Sequence, residues 1–271
     1  SANGLTCVFN FGQDSTFGDL ETAGGNADEN GHGDFKYAPP TGFLANCAAN
    51  MTISDDIDPA QTEDDIAQKQ FGVVTYTGNG SSNAITGLGF QPDLVWAKMR
   101  SSSQAGILID SSRGQSLLFS SLTNAEQTSN GPFMTSYDSD GFTLSSSGSN
   151  PNDNSQTYVA WCWRANGGTT SSNTNGTITS TVQANTKAGF SIVKFTGNGS
   201  NNATVGHGLD SAPDFIICKP YGSGTLSWHV FHRAMGTGEF ILNNNSAFDT
   251  RTSSFTESGT TATNFTLGSD A

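Results

Sequence analysis

The chain has 271 residues, of which 34% are apolar and 13% are charged, and its formal net charge is −13 at pH 7. This acidic balance argues against nucleic-acid binding and against docking on an anionic membrane, because both need clustered Lys and Arg. No apolar run is long enough to span a bilayer, and no signal-peptide pattern is visible at Ser1. We therefore expect neither a nucleic acid nor a membrane as a partner.

The scarcity of charged residues means that Ser, Thr, Asn and Gly must supply most of the surface. Such a composition favours many short strands with polar turns over long helices, whose exposed faces usually carry Lys and Glu. We therefore predict an all-β fold of tandem β-sandwich domains, of jelly-roll type, with very little helix.

Residues 1–50 form the first predicted unit, with a strand at residues 5–11 and a loop rich in Gly, Asn and acidic residues after it. The loop places oxygen-bearing side chains at alternate positions before a glycine, as the first half of an EF-hand does. The candidate calcium ligands are Asn26, Asp28, Asn30 and Asp34. The closing glutamate and the flanking helices of an EF-hand are missing, so a surface loop of Asx turns is the alternative. Calcium is the only cofactor that the sequence indicates.

Residues 51–70 are acidic and polar, and we predict a linker with at most one short helix, between Pro59 and Lys69. The four cysteines lie far apart, without the CxxC spacing that zinc sites use. Cys7 and Cys47 could form a disulfide if the N-terminal segment folds on itself. Four reduced thiols are the alternative.

Residues 71–165 and 189–271 are predicted to be two copies of one β-sandwich. The sequence YTGNG at 76–80 returns as FTGNG at 195–199, and each copy has a Pro-Asp pair before an apolar strand. Gly78 and Gly197 are 119 positions apart, and Phe142 and Phe265 are 123 apart, as expected if a duplicated domain acquired short insertions. Residues 166–188, rich in Gly, Ser, Thr and Asn, are predicted to be a connector with one edge strand.

The first copy ends in the sequence YVAWCW at 158–163, which is typical of a buried strand. The second copy has no matching segment between the sequence FTL at 265–267 and Ala271. We therefore predict that the second copy lacks its last strand. Either a longer natural protein or a neighbouring subunit would fill the gap.

Catalytic motifs are missing from the sequence, which has no HExxH, no GxSxG and no phosphate-binding loop. His229 and His232 would point to opposite faces of a strand, so a shared metal is not expected. Asp93 and Asp214 are the repeated acids, but each follows a proline at the start of a strand, where Asp usually caps a turn. We predict that the protein is not an enzyme.

Several segments resemble bacteriophage proteins. Residues 9–13 (FNFGQ) and 37–45 (YAPPTGFLA) resemble the closing strands of SPRY-like, concanavalin-type sandwich domains in large phage proteins. A domain that follows those modules in phages of aquatic bacteria is similar to the segments YTGNG (76–80), GLGFQPDLVW (87–96), DSDGFTL (138–144) and YVAWCW (158–163).

The resemblance implies a non-enzymatic component of the virion exterior: a tail fibre, a spike or a capsid-decoration protein. It implies contacts with other virion proteins, a contribution to host attachment, and a homo-oligomer, for which a trimer is the first expectation in a fibre.

A carbohydrate-binding, lectin-like module that recognises host surface glycans is the second hypothesis. Sandwiches often carry aromatic and amide side chains in loops at one end. The candidates are Asn79, Trp96, Asn198 and Trp228. Burial in the core is the alternative for the tryptophans, and we expect the core anchors to be Trp96, Trp161, Trp163, Trp228, Phe142 and Phe265. A depolymerase is the third hypothesis and would require the release of reducing sugar ends.

Overall fold

The structure is a computed structural model that describes residues 14–47, 50, 66–128, 133–146, 151–222, 224–236, 238–250 and 255–268. The chain divides into two compact units, Ser1–Gln61 and Thr62–Ala271. The predicted strand at 5–11, Cys7 and most of the acidic linker lie outside the described residues. In the part that is described, no helix is long and apolar enough to cross a membrane.

The fold is all-β, as the composition predicts. The described part of the larger unit contains antiparallel sheets, and its helix is confined to two 3-10 turns, Ala67–Lys69 and Arg233–Met235. The strands of the first repeat are β1 (Phe71–Thr77), β2 (Asn83–Thr86), β3 (Leu94–Met99), β4 (Ile107–Asp110), β5 (Leu117–Phe119), β6 (Met134–Asp138), β7 (Gly141–Leu144) and β8 (Thr157–Trp163). The connector contributes β9 (Ser171–Asn173) and β10 (Ser180–Asn185). The strands of the second repeat are β11 (Phe190–Phe195), β12 (Thr204–Gly206), β13 (Phe215–Cys218), β14 (His229–His232), β15 (Phe240–Ile241), β16 (Phe255–Thr260) and β17 (Asn264–Leu267).

The first repeat is a sandwich of two sheets, with strand orders β1-β8-β3-β4-β5 and β2-β7-β6. Alternate residues of β3 and β8 are buried, as the period of two along a strand requires. The inward residues of both sheets form one apolar cluster, in which Val95 and Ala160 meet Ile85 and Phe142 of the opposite sheet. Phe142 is 0% exposed and lies in this core, as predicted.

Not every predicted core anchor faces the core. Trp161 and Trp163 alternate with the buried Ala160 and Cys162, so they project from the opposite, outer face of β8 and are only half-buried. Trp96 is likewise half-buried on the outer face of β3. The prediction was wrong for these three tryptophans, because the inward positions of a central strand are taken by the smaller residues.

The second repeat follows the same plan. Its sheets have the orders β12-β17-β16 and β13-β14-β15, and β11 belongs to a third sheet, β11-β10-β9. Its core contains Val205, Phe231 and Phe265, with partly buried residues of β11 and β13 packed against them.

Each repeat also contains the same backbone hydrogen bond at a matching position. The N–H of the residue after β4 donates to the carbonyl of the repeated aspartate in the first copy, at 2.8 Å, and the residue after β14 does the same in the second copy, at 2.8 Å. These bonds are Ser111 to Asp93 and Arg233 to Asp214. Residues at matching sequence positions therefore occupy matching places in the fold.

The Gly-Asn-Gly turn is not a hairpin, contrary to the usual meaning of that sequence. β1 pairs with β8 and β2 pairs with β7, so the turn carries the chain from one sheet to the other. Gly80 has a φ of 65°, which favours glycine. At position 78 the requirement is steric: a side chain there would place its Cβ against the carbonyl oxygen of Asp153, so only glycine fits.

Candidate functional site: an open strand position in the second repeat

In the first repeat, β8 lies inside the larger sheet, between β1 and β3. It pairs antiparallel with β1 on one edge and with β3 on the other. Its inward residues Tyr158, Ala160 and Cys162 are each 0% exposed. Because both edges of β8 are bonded, its backbone groups are satisfied within the sheet.

Asp93 fixes the end of β8. The side chain is 0% exposed. Its Oδ2 accepts the N–H groups of Ala165 at 2.7 Å and Gly167 at 2.9 Å, and its Oδ1 accepts the N–H of Gly168 at 2.8 Å. The hydroxyl of Ser111 donates to Oδ1 at 2.7 Å. A buried carboxylate with this many donors is fully satisfied, and it holds the backbone that leaves β8.

Among the described residues of the second repeat, no strand joins β11 to β13. β11 is bonded to β10, whose other edge is bonded to β9, and β13 is bonded to β14. Ile178, just before β10, bridges Val205 on the edge of β12 that faces away from β17. β10 therefore lies on the outer side of β11. We call the space between the facing edges of β11 and β13 the open strand position.

Side-chain exposure differs between the two repeats at this position. Val95 and Ala97 of β3 are each 2% exposed beside β8. Their counterparts in β13, Ile216 and Cys218, pack against the core of the second repeat but are only partly buried. Within the described part of the chain, no strand covers these two apolar side chains as β8 covers their counterparts in the first repeat.

The repeated aspartates differ even more. The side chain of Asp214 is 67% exposed, whereas Asp93 is fully buried. The Oδ1 of Asp214 lies 3.1 Å from Nε of Arg233, which takes the place of Ser111. Among the described residues, no backbone N–H group reaches the Asp214 carboxylate, so it holds no chain end as Asp93 does.

The two repeats pack on each other through the outer faces of their sheets. Trp228 is 4% exposed and is buried with Leu108 and Leu118 of the first repeat. Its indole Nε1 donates to the carbonyl of Phe119 at 2.8 Å. Trp228, a predicted glycan-binding residue, therefore has no open ring face, and Trp96 is packed against the same cluster.

Gln183 of β10 was not singled out in the sequence, yet it is 0% exposed and ties the connector to the first repeat. Its Oε1 accepts the N–H of Gly168 at 2.8 Å, and its Nε2 donates to the hydroxyls of Ser111 at 2.9 Å and Ser112 at 2.8 Å. A lone glutamine in a polar connector gives no sequence signal for this role. The connector is thus part of the packed structure, with two strands where one was expected.

The predicted glycan-binding asparagines cap their own turns. Oδ1 of Asn79 accepts the N–H of Ser81 at 2.8 Å, and Oδ1 of Asn198 accepts the N–H of Ser200 at 3.0 Å. These are Asx turns. No contact among the described residues joins either asparagine to Trp96 or Trp228, and glycan binding at these four residues stays a prediction.

The candidate calcium loop uses its central carboxylate for backbone hydrogen bonds. Asp28 accepts the N–H groups of Ala45 at 2.8 Å, His32 at 2.9 Å and Asn30 at 3.0 Å. Burial acts to raise the pKa of Asp28, but these bonds and one from the Asn50 amide outweigh it and lower the pKa to about 2.

The other three candidate ligands also have local partners. Asn26 donates from Nδ2 to the carbonyl of Phe35 at 3.2 Å, and Asn30 donates from Nδ2 to Oδ1 of Asn50 at 3.0 Å. Asp34 accepts the N–H of Ser15 at 3.3 Å. Within the described residues, no group of three or more His, Cys, Asp or Glu side chains is placed to hold a metal ion. The geometry favours the Asx-turn interpretation, and calcium stays a prediction.

The two histidines of β14 have separate environments. Nδ1 of His229 lies 3.1 Å from Oε2 of Glu239, whose side chain is 4% exposed. His232 accepts the N–H of Ala234 at its Nδ1 and packs its ring near Phe215. The opposite orientation of the two histidines fits their spacing in a strand.

Comparison with protein families places both repeats in one domain. The sequence model of a family described as a domain of unknown function (DUF7483) matches residues 67–271. The chain belongs to this family. No curated protein and no solved structure matches the chain. The DUF7483 match begins just before β1 and includes both sandwiches and the connector, so the family unit contains the filled strand position and the open one.

Proposed function

We propose that the chain is a non-enzymatic structural component of a bacteriophage virion exterior, of the tail-fibre, spike or capsid-decoration type. The observation that carries this proposal is the packing of two sandwiches into one compact unit. A component that stands on the outside of a particle must keep its shape without support from a cell, and packed tandem sandwiches meet that requirement. The resemblance of several segments to phage proteins supports the same role.

The contacts between the repeats support a rigid unit. Beside the buried cluster around Trp228, backbone bonds join the two repeats: Glu126 N–H to Tyr221 carbonyl at 2.9 Å, and Thr225 N–H to Thr123 carbonyl at 3.0 Å. Nζ of Lys219 also donates to the Thr123 carbonyl at 3.1 Å. Apolar burial with satisfied polar groups around it is typical of a permanent interface.

The chemistry of the surface agrees with this role. The net charge of −13 and the many hydroxyl and amide side chains favour solubility and oppose non-specific association. The acids that recur in both repeats have structural partners, since Asp93 holds backbone N–H groups and Asp214 pairs with Arg233. Glycan recognition is the less supported alternative, because Trp228 is buried.

The test is to locate the protein on particles of a phage that encodes it. Antibodies raised against residues 67–271 should label intact particles in immunogold electron microscopy, and mass spectrometry should find peptides of both repeats in purified particles. Particles opened by chaotrope serve as the control for internal proteins. Intact particles that stay unlabelled and lack the peptides would overturn the proposal. Light scattering of the purified protein tests the homo-oligomer, with three copies expected for a fibre.

A further inference from the structure

We propose that Asn198 is a site of spontaneous covalent modification, in which its side-chain amide reacts with the backbone nitrogen of Gly199 and is converted to aspartate or isoaspartate. The same four-residue sequence, Gly-Asn-Gly-Ser, stands at 78–81 and at 197–200. The fold protects the first copy and exposes the second. The proposal goes beyond a virion role and does not depend on it.

The reaction needs only water besides the chain. The backbone nitrogen of Gly199 loses its proton to solvent and forms a bond with Cγ of Asn198. The bond between Cγ and Nδ2 then breaks, and the amide takes up a proton from solvent and leaves as ammonia. Water opens the resulting succinimide ring at either carbonyl, so the product is aspartate or isoaspartate, and both add a negative charge. Glycine favours ring closure, because it has no Cβ to hinder the approach of its nitrogen.

The amide carbonyl is activated in both copies. Oδ1 of Asn198 accepts the N–H of Ser200 at 3.0 Å. Oδ1 of Asn79 accepts the N–H of Ser81 at 2.8 Å, and Nδ2 of Asn152 adds a longer bond at 3.3 Å. Hydrogen bonds to this oxygen draw electron density away from Cγ and favour attack on it. A difference in reactivity must therefore come from the attacking nitrogen and the leaving amide.

Both of these groups are engaged in the first copy. The N–H of Gly80 donates to the carbonyl of Asn152 at 2.9 Å, so the loss of its proton would break a backbone hydrogen bond. Nδ2 of Asn79 donates to the carbonyl of Ser82 at 3.2 Å. Asn152 is 2% exposed, and its Oδ1 accepts the N–H of Asn79 at 3.1 Å. These contacts fix the turn and oppose the rotation that ring closure requires.

The same groups are open to solvent in the second copy. Gly197, Asn198 and Gly199 are all exposed. In the first copy, Gly78 is buried and Gly80 is half-buried. Among the described residues, no hydrogen bond engages the N–H of Gly199 or Nδ2 of Asn198. Water can therefore take the proton from Gly199, and the chain can rotate to bring this nitrogen onto Cγ.

Other Asn-Gly pairs in the described residues are protected by their surroundings. The N–H of Gly31 donates to the carbonyl of Asp28 at 3.0 Å. The N–H of Gly167 donates to Oδ2 of Asp93 at 2.9 Å. Gly176 lies so close to the backbone of β12 that a Cβ there would be 2.3 Å from a carbonyl oxygen, which hinders ring closure. The pair at 198–199 is therefore expected to react first.

The first test follows the native full chain during incubation at mildly alkaline pH, which speeds the loss of the backbone proton. Peptide mapping by mass spectrometry measures the conversion at each asparagine, and the isoaspartate content shows that a succinimide was formed. We expect Asn198 to convert at least about tenfold faster than Asn79. Asn79 is the internal control, since its flanking residues are identical. Equal rates, or faster conversion of Asn79, would overturn the proposal.

The contribution of the fold is tested on the chain unfolded in urea. There the two Gly-Asn-Gly-Ser segments lose their different surroundings, and their conversion rates should agree within about twofold. A difference as large as in the native chain would assign the selectivity to the wider sequence context. That result would overturn the argument from exposure and hydrogen bonding.

The assignment to Asn198 is tested by substitution. Asn198→Gln should abolish the conversion in this turn, because glutamine would have to close a larger ring. Asn201→Gln changes another exposed amide of the same loop and should leave the rate at Asn198 unchanged. Conversion within residues 195–200 that continues in Asn198→Gln would contradict the assignment.

Discussion

The two repeats share one plan, but within the described residues only the first has a strand between its first and third strands. Around β8, the first repeat buries Val95 and the carboxylate of Asp93 completely or nearly so. The second repeat leaves the matching Ile216 partly exposed and the matching Asp214 mostly exposed. The comparison shows what one central strand contributes: it covers the core on one side and gives a repeated acid its hydrogen-bond donors.

The cores differ in polarity as well. Ile107 and Leu117 of the first core are matched in the second by His229 and Glu239, and Leu88 is matched by His207. Ionisable groups in a core lower stability unless each is well paired. The second repeat is therefore expected to be the weaker of the two.

The largest expected effect comes from removing the central aromatic residue of each core. Phe142→Ala empties a fully buried site and should lower the free energy of unfolding by about 3–5 kcal/mol. Phe265→Ala should cost about 1 kcal/mol less, because a core beside an open strand position can relax around the cavity. Chemical denaturation of both variants measures the two values. A larger loss for Phe265→Ala would contradict the idea that the second core is the less tightly packed.

The repeated aspartates give the next largest difference. Asp93→Asn replaces a charged acceptor of three backbone N–H groups, and we expect a loss of about 2–4 kcal/mol of unfolding free energy. Asp214→Asn alters an exposed ion pair and should change the stability by less than about 0.5 kcal/mol. The pair is its own control, since the same chemical change is made at matching positions. Similar losses at both sites would mean that Asp214 already has buried partners.

The all-β class and the internal repeat could be predicted from the sequence because both depend on local patterns. Alternation along residues 158–163 marks a buried strand, and the repeated Gly-Asn-Gly and Pro-Asp pairs mark matching turns. The crossing of the Gly-Asn-Gly turn from one sheet to the other could not be predicted, because strand pairing depends on residues far apart in the chain.

The roles of individual residues were harder to predict for the same reason. The donors to Asp93 lie more than 70 positions away, at residues 165–168, so the sequence indicated only a turn cap. Trp228 is buried by the other repeat and not by its own core, which alternation along one strand cannot show. An alignment of the repeats alone shows that residues 158–163 have no counterpart between residues 267 and 271.

Replacing the polar pair of the second core by its counterparts in the first should stabilise the protein. Oε2 of Glu239 is buried and, among the described residues, has no hydrogen bond of good geometry despite lying 3.1 Å from His229. The double variant His229→Ile with Glu239→Leu should raise the free energy of unfolding by about 1–3 kcal/mol. Glu239→Leu alone should gain less, because His229 then loses its carboxylate neighbour. A double variant less stable than the wild type would show that the pair has a structural role that apolar packing cannot replace.

The smallest expected effect is the pH dependence that His207 adds to the second repeat. His207 is 2% exposed, and its Nδ1 accepts the N–H of Leu209 at 3.1 Å while its Nε2 lies 3.1 Å from the carbonyl of Thr261. Burial lowers the pKa of His207, although the bond to Thr261 opposes the shift. The unfolded chain therefore binds a proton more readily than the folded one, and stability that is present above the ordinary pKa of 6.5 is lost as the pH falls below it.

His207→Leu introduces the residue that the first repeat has at the matching position, Leu88. It should reduce the loss of unfolding free energy between neutral and acidic pH, by less than about 1 kcal/mol. The measurement is the slope of unfolding free energy against pH, which separates this effect from any loss of the Leu209 bond at all pH values. The converse variant Leu88→His, at the matching buried position, should add the same slope to the first repeat. If the slope follows the histidine from one repeat to the other, it belongs to this buried position in the sandwich. If only His207 produces it, the slope depends on the environment of the second repeat.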